Sequence, residues 1–363
     1  MKKYLILLTA LFLVFSVTAQ KTTGNVKDTI EQNRFEPVVD TIQAGSVFDN
    51  DAPLSIKLIS DFTTFLKPKY NNKYLPAKLI VKLPSSNDSI VKDIRIKARG
   101  KSRKEMCQFP PIKLNFKTDP IKDPDYKGVN KMKMVTHCKG SKLYNMYILK
   151  EYLIYKIYNA ITDYSLRVRL LKIDYLDTGK RGFHDSRYGF LIEPMKVLAK
   201  RLNAVVIETK VVKYHELDQL AADRVALFNY MVGNGDWQYQ TSHNIKYIKI
   251  LDMTIPGAYP IPYDFDFSGF VGADYAAPQP WNMVENVRER DYMGFCRKTP
   301  DNFNKIKNEF LAAEQKIYDI IMNFEPLPLN ERKRLKWYID EFYKELKYKN
   351  AYSIITTNCR EPY

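Results

Sequence analysis

The sequence predicts an α+β chain in two lobes, strand-rich first and helix-rich second. Three observations carry this. From Leu54 to Ile192 apolar and charged residues alternate in short runs, as they do in half-buried strands. After Met195 the apolar residues recur at helical spacing instead. No internal repeat or low-complexity tract interrupts either part. The expected boundaries are 1–19 for an export signal, 20–51 for a polar arm, 52–195 for the strand-rich lobe and 196–363 for the helical lobe.

The signal is read from Lys2 and Lys3, an apolar run from Leu5 to Val17, and the small residues ending at Ala19. That run is shorter than the roughly 20 residues a bilayer span needs. Cleavage after Ala19 is expected, which would place the protein in the periplasm, at the cell surface or outside the cell. From Lys21 to Asp51 the chain is polar and reads as a linker. Strands are expected from Leu54, at Ala77–Leu83, Ile90–Ala98, Pro111–Phe116 and Lys131–Thr136. A helix over Leu143–Ala160 follows, with Leu143, Met146, Leu149, Leu153 and Ile157 on one stripe. Strands at Arg167–Tyr175 and Tyr188–Ile192 complete the first part. In the second, Leu217, Ala221, Val225, Phe228 and Val232 share a helix face that Gly233 ends as a left-handed cap. A hairpin joins Ile245–Ile250 to Tyr259–Tyr263 through Pro256 and Gly257. Helices at Asp301–Asn323 and Asn330–Lys347 are separated by Pro326 and Pro328.

The formal net charge of +16 suits phosphate groups or acidic surfaces, or simply keeps the protein soluble. The lysines are spread evenly with no dense basic block, so no nucleic-acid partner is expected. No apolar stretch after the signal is long enough to span a membrane. Cys107, Cys138, Cys296 and Cys359 permit two disulfides in an exported chain. Cys107 and Cys138 flank neighbouring expected strands, which favours their pairing.

Motifs for hydrolytic nucleophiles and zinc are missing: Gly-x-Ser-x-Gly, His-Glu-x-x-His and Cys-x-x-Cys do not occur. Arg99-Gly100-Lys101-Ser102 ends like a P-loop, but Arg95 stands where the first glycine belongs and no apolar helix follows. What remains is a turn whose backbone amides and cations suit phosphates, or an ordinary solvated hairpin turn. The segment from Val232 to Phe270 is more informative. A helix end is followed by Asp236, then Asn244, a hairpin, and Asp264 and Asp266 at alternate positions. Two carboxylates on one face suit magnesium, manganese or calcium better than zinc. This is the order in which a protein-kinase site places its catalytic Asp, its metal-binding Asn and its later metal-binding Asp. Lys113 lies on an earlier strand, where it can contact nucleotide phosphates, and Glu151 on the following helix can pair with it. Each residue also has an ordinary reading as a solvated lysine, a helix surface, a turn cap or an exposed strand face; the combination favours function.

Ile94–Ser102 (IRIKARGKS), Pro110–Phe116 (PPIKLNF), Tyr188–Glu193 (YGFLIE), Gly233–Asn244 (GNGDWQYQTSHN) and Ile261–Gly269 (IPYDFDFSG) together resemble the CotH kinases, a family named for a spore coat protein. The resemblance implies a reduced protein-kinase-like fold and metal-dependent transfer of the ATP γ-phosphoryl group to Ser/Thr hydroxyls of a protein substrate. It implies Asp236 as the catalytic aspartate and Lys113 at the phosphates. Asn244 and Asp264 would be metal ligands with Asp266 auxiliary, and Arg99, Gly100 and Ser102 would lie in the loop over the nucleotide. Eight positions separate Asp236 from Asn244, a wider gap than kinase catalytic loops use. Two alternatives stay open: a non-catalytic binding or adhesion module, and a metal-dependent phosphoesterase built on the same carboxylates.

Overall fold

The computed structural model describes residues 44–82, 88–100, 102–122, 126–209 and 211–362. The expected signal at 1–19 and most of the polar arm lie outside them. The strands form where alternation predicts them: β1 Leu54–Ser60, β2 Leu75–Lys82, β3 Ser89–Ala98, β4 Ile112–Asn115, β5 Lys131–Val135, β6 Val168–Asp177 and β7 His184–Ile192. Helices α1 Ala44–Asp49, α2 Phe62–Phe65 and α3 Arg103–Met106 are short, and α4 runs from Lys142 to Ile161.

The two-lobed, kinase-like division expected from the sequence is corrected here. The seven strands close into a mixed barrel in the order β1-β2-β3-β4-β5-β7-β6. β1 completes the ring by pairing parallel to β6, with Leu54 opposite Leu171 and Ser60 opposite Asp177. All other neighbours in the ring are antiparallel. Inward residues such as Leu58, Ile96, Leu114, Met134 and Ile173 fill the lumen.

The physical reason the lobes do not separate is α4. It is apolar on more than one side: Tyr144, Ile148, Tyr152, Tyr155 and Tyr158 are all buried. A second hydrophobic cluster runs unbroken from Val168, Leu170, Phe190 and Ile192 on the barrel, through α4, into the C-terminal helices. Residues 40–363 accordingly form one compact unit.

The remaining elements are α5 Met195–Arg201, β8 Ala204–Ile207, α6 Gln219–Val232, β9 Ile245–Ile250, β10 Tyr259–Pro262, α7 Asp301–Met322, α8 Leu329–Lys347 and α9 Ala351–Ile355. The expected hairpin β9–β10 gains β8 as a third, antiparallel strand. Cys107 is bonded to Cys138, as the sequence favours, and Cys296 to Cys359. No helix among the described residues is long and apolar enough to cross a membrane.

Candidate functional site

Three chain segments meet at an acidic centre. The first is α4, which carries Glu151 on a fully buried turn. The second is the coil after β10. That strand ends at Pro262, so Asp264 and Asp266 are not on a strand as expected. They are fixed instead by Phe265, whose buried ring lies 4.9 Å from that of Tyr155 and 5.7 Å from that of Phe228. Asp264 takes a left-handed φ of 67°, and its amide donates to Tyr155 Oη at 2.9 Å. A non-glycine residue in that conformation is held there by its surroundings. Carboxylate oxygens of Glu151, Asp264 and Asp266 lie within 4.8 Å of one another.

Arg103, in the third segment, is the counter-ion. Its Nε donates to Asp266 Oδ2 at 2.8 Å and its Nη2 to Glu151 Oε2 at 3.0 Å. Tyr275 Oη adds a hydrogen bond to Asp266 Oδ2 at 3.2 Å. Burial raises the Glu151 and Asp266 carboxyl groups above their usual range, and Arg103 pulls both back. Glu151 Oε1 is buried with no hydrogen-bond partner. A buried carboxylate oxygen left bare beside two further carboxylates, all hard oxygen donors, fits a magnesium or manganese ion.

Glu151 therefore pairs with Arg103 and not with Lys113. Nothing in the charged run Arg103-Lys104-Glu105 marks Arg103 out from its neighbours. Its place is set by Gly100, which turns the chain at φ 91°, and by the disulfide at Cys107, just beyond α3. Gly100 and Ser102 are exposed, and the backbone N–H of Arg99 donates to Pro111 O at 2.8 Å. Instead of a hairpin turn, this segment is a turn leading into α3.

The loop after α6 carries Asp236. Gly233 caps α6 at φ 61°, as expected. Its carbonyl accepts from Gly269 N and that of Val232 from Phe270 N, which ties this loop to the one bearing Asp264 and Asp266. Asp236 Oδ1 lies 2.8 Å from His243 Nε2, and Oδ2 accepts from Asn244 Nδ2 at 3.0 Å. Asn244, itself at φ 53°, also donates to the Asp236 carbonyl at 2.8 Å. Its amide nitrogen thus holds Asp236, and the His243 side chain supports the same carboxylate. Asp236 in turn adds to the negative field on Asp266.

A cleft of about 230 Å³ opens next to Asp264, reached through its chain neighbour Tyr263 and through Lys133, which feels the Asp264 charge; it is lined by Lys113, Lys131, Lys133, Lys246, Ile192, Glu193, Met195 and Tyr263. Lys113 is there, as expected. Its ammonium is lowered by desolvation and by Lys97, Arg99 and Lys131. Lys133, which the sequence reading missed, sits 4.4 Å over the Tyr263 ring. Burial brings it down to about 8, with Arg99 adding repulsion and Asp264 opposing the shift. The apolar period of β5 gives no hint of this; only the register opposite Lys113 does.

No protein-family model matches this chain, and no curated protein matches it. A crystal structure of a Helicobacter pylori proinflammatory kinase, CtkA, is similar at 11% identity and a TM-score of 0.35, covering 69% of this chain and 91% of that one. So loose a superposition carries no argument here. It is a likeness to a kinase, and none of these comparisons points to the CotH family.

Proposed function

We propose that this protein is an exported phosphotransferase that moves the γ-phosphoryl group of ATP to Ser/Thr hydroxyls of a protein, with a magnesium or manganese ion. The observation that carries the reading is the acidic centre Glu151–Asp264–Asp266, with its bare buried oxygen, beside a lysine-lined cleft. Glu151, Asp264 and Asp266 would hold the ion, whose role when bound is to offset charge on the phosphates. Lys113 and Lys133 bind the phosphate oxygens. Asp236, steadied by His243 and Asn244, orients the acceptor hydroxyl and receives its proton. The hydroxyl oxygen forms a bond to the γ-phosphorus while the bond from that phosphorus to the bridging oxygen breaks, and the electron pair leaves with ADP. Positioning and charge do most of the work in such a reaction. The two disulfides suit an oxidising compartment, as export would require.

The test is labelling of a protein acceptor from γ-labelled ATP with magnesium or manganese. Asp236→Ala and Asp264→Asn are expected to abolish labelling with the fold retained; Asn tolerates the left-handed backbone at 264. Full activity in either variant refutes the assignment. The second reading is a non-catalytic binding module. It is favoured by Arg103, which already neutralises two of the three carboxylates. Calorimetry with ATP and magnesium separates the two, since the module would release no heat.

A further inference from the structure

The outward face of β3, β4 and β5 carries a charge pattern that the barrel itself does not need. In these strands alternate residues face out. One cross-strand row is Lys97–Lys113–Lys133 and the next is Arg95–Asn115–Lys131. Inward partners such as Ile96, Leu114 and Met132 are buried. Five of the six outward positions are thus cations and none is a carboxylate. Like charges directly opposite one another across strands are destabilising. Among the described residues none of the five has an ion-pair partner. Asp93, the nearest outward carboxylate on β3, is taken by Lys78 at 2.7 Å. Glu193, at the cleft wall, is buried and held by Arg167 and Arg201.

The face is continuous with the cleft, since Lys113, Lys131 and Lys133 belong to both. A metal-bound triphosphate keeps only part of its negative charge. It would satisfy the lysines of the cleft and leave Arg95 and Lys97 without counter-charge. Tyr74 lies under two of these outer cations, 5.8 Å from the Arg95 guanidinium and 5.4 Å from Lys97 Nζ, and Arg95 Nη2 also donates to Tyr74 O. They are held by an aromatic face and a carbonyl, while Asp93, two positions along the same strand face, is engaged by Lys78.

We propose that the β3–β5 face is a docking surface for an acidic protein segment, and that the acceptor hydroxyl is delivered from a sequence rich in Asp and Glu. This rests on the phosphotransferase reading above and names its substrate class. Main-chain register supplies cations about 4.8 Å apart across the strands. Acidic side chains along an extended peptide fit such a row by charge complementarity.

The experiment compares three serine peptides that differ only in flanking residues, Asp/Glu, Ser/Gly or Lys/Arg, with the full chain, ATP and magnesium. The acidic peptide is expected to have a KM about tenfold below the neutral one, the advantage shrinking as salt is raised. In the variant Arg95→Gln/Lys97→Gln that advantage is expected to fall severalfold, with the KM for ATP unchanged. Equal or better use of the basic peptide overturns the proposal, as does an unchanged acidic preference in the variant. Fluorescence anisotropy of the labelled acidic peptide at low salt, without ATP, reads the docking face apart from catalysis. Binding that the double variant weakens, in a protein that labels nothing, keeps the docking face and removes the phosphotransferase reading. No binding in a protein that does label other acceptors removes the docking face alone, and so does binding of a labelled oligonucleotide by a protein that gives no response to the acidic peptide.

Discussion

Replacing Arg103 by Met tests the acidic centre most directly. The change keeps the length and packing of the stem but removes the guanidinium that bonds Asp266 at 2.8 Å and Glu151 at 3.0 Å. Both carboxylates are buried, with Glu151 fully so. Removing one partner of a buried ion pair costs about 3–5 kcal/mol, because the remaining charge has neither water nor counter-ion. Urea unfolding in EDTA near pH 8 should therefore show Arg103→Met less stable by that amount. The carboxylates can escape part of the penalty by taking up protons, since burial already raises both. The deficit should accordingly narrow as the pH falls toward 5. Manganese should restore the variant by about 2.7 kcal/mol at a hundred times its Kd, and should stabilise the wild type less, since there the ion must compete with or accommodate Arg103. A variant as stable as wild type in EDTA, or equal manganese shifts in the two proteins, would refute the claim that guanidinium and metal serve the same carboxylates.

Other perturbations have equally definite outcomes. His137 is buried against Phe109, its Nδ1 has no partner, and burial lowers it to about 4. A base depressed in the folded state contributes stability that is complete above its unfolded value near 6.5 and is lost as the pH falls from there toward 4, a loss of about 3 kcal/mol. Acid unfolding curves of His137→Phe should lack that slope; an unchanged slope places the titration elsewhere. The Cys296–Cys359 disulfide spans 63 positions, so loop closure alone makes it worth about 4 kcal/mol, and Cys296→Ser/Cys359→Ser should lower the unfolding free energy by a comparable amount. In Gly233→Ala a methyl group would stand 2.1 Å from Tyr338 Oη at a left-handed backbone, so a loss of about 2 kcal/mol or more and a disturbed Asp236 loop are expected from denaturation and labelling assays.

How far the sequence reaches can be followed through particular residues. α4, the capped end of α6 and the β9–β10 hairpin are legible because their signals are local: an apolar stripe, a glycine, a Pro-Gly turn. Barrel closure is not, since the parallel pairing of β1 with β6 is a register between distant runs that carries no mark in either. β8 escaped notice because Ala204–Ile207 is a four-residue run just after a helix. In the site, Asp236, Asn244, Asp264, Asp266 and Lys113 stand out by order along the chain, and the structure brings the three aspartates into one region. The pairing of Glu151 went to the wrong cation. Arg103 and Lys113 are both plausible partners by residue type, and only three-dimensional distance separates them.

The closing seam of the barrel also bears on how the chain is made. β1 emerges first but finds its partner β6 only after β2 to β5 and α4 have been synthesised. Such long-range pairing carries a large loop-closure cost and slows folding. Until it forms, both flanks of the sheet are open edges of the kind that recruit strands from other chains. A fragment ending near residue 195 would close the seam yet leave the outer side of α4 uncovered. A fragment beginning there would lack the helix its own core packs on. The protein is therefore best expressed whole.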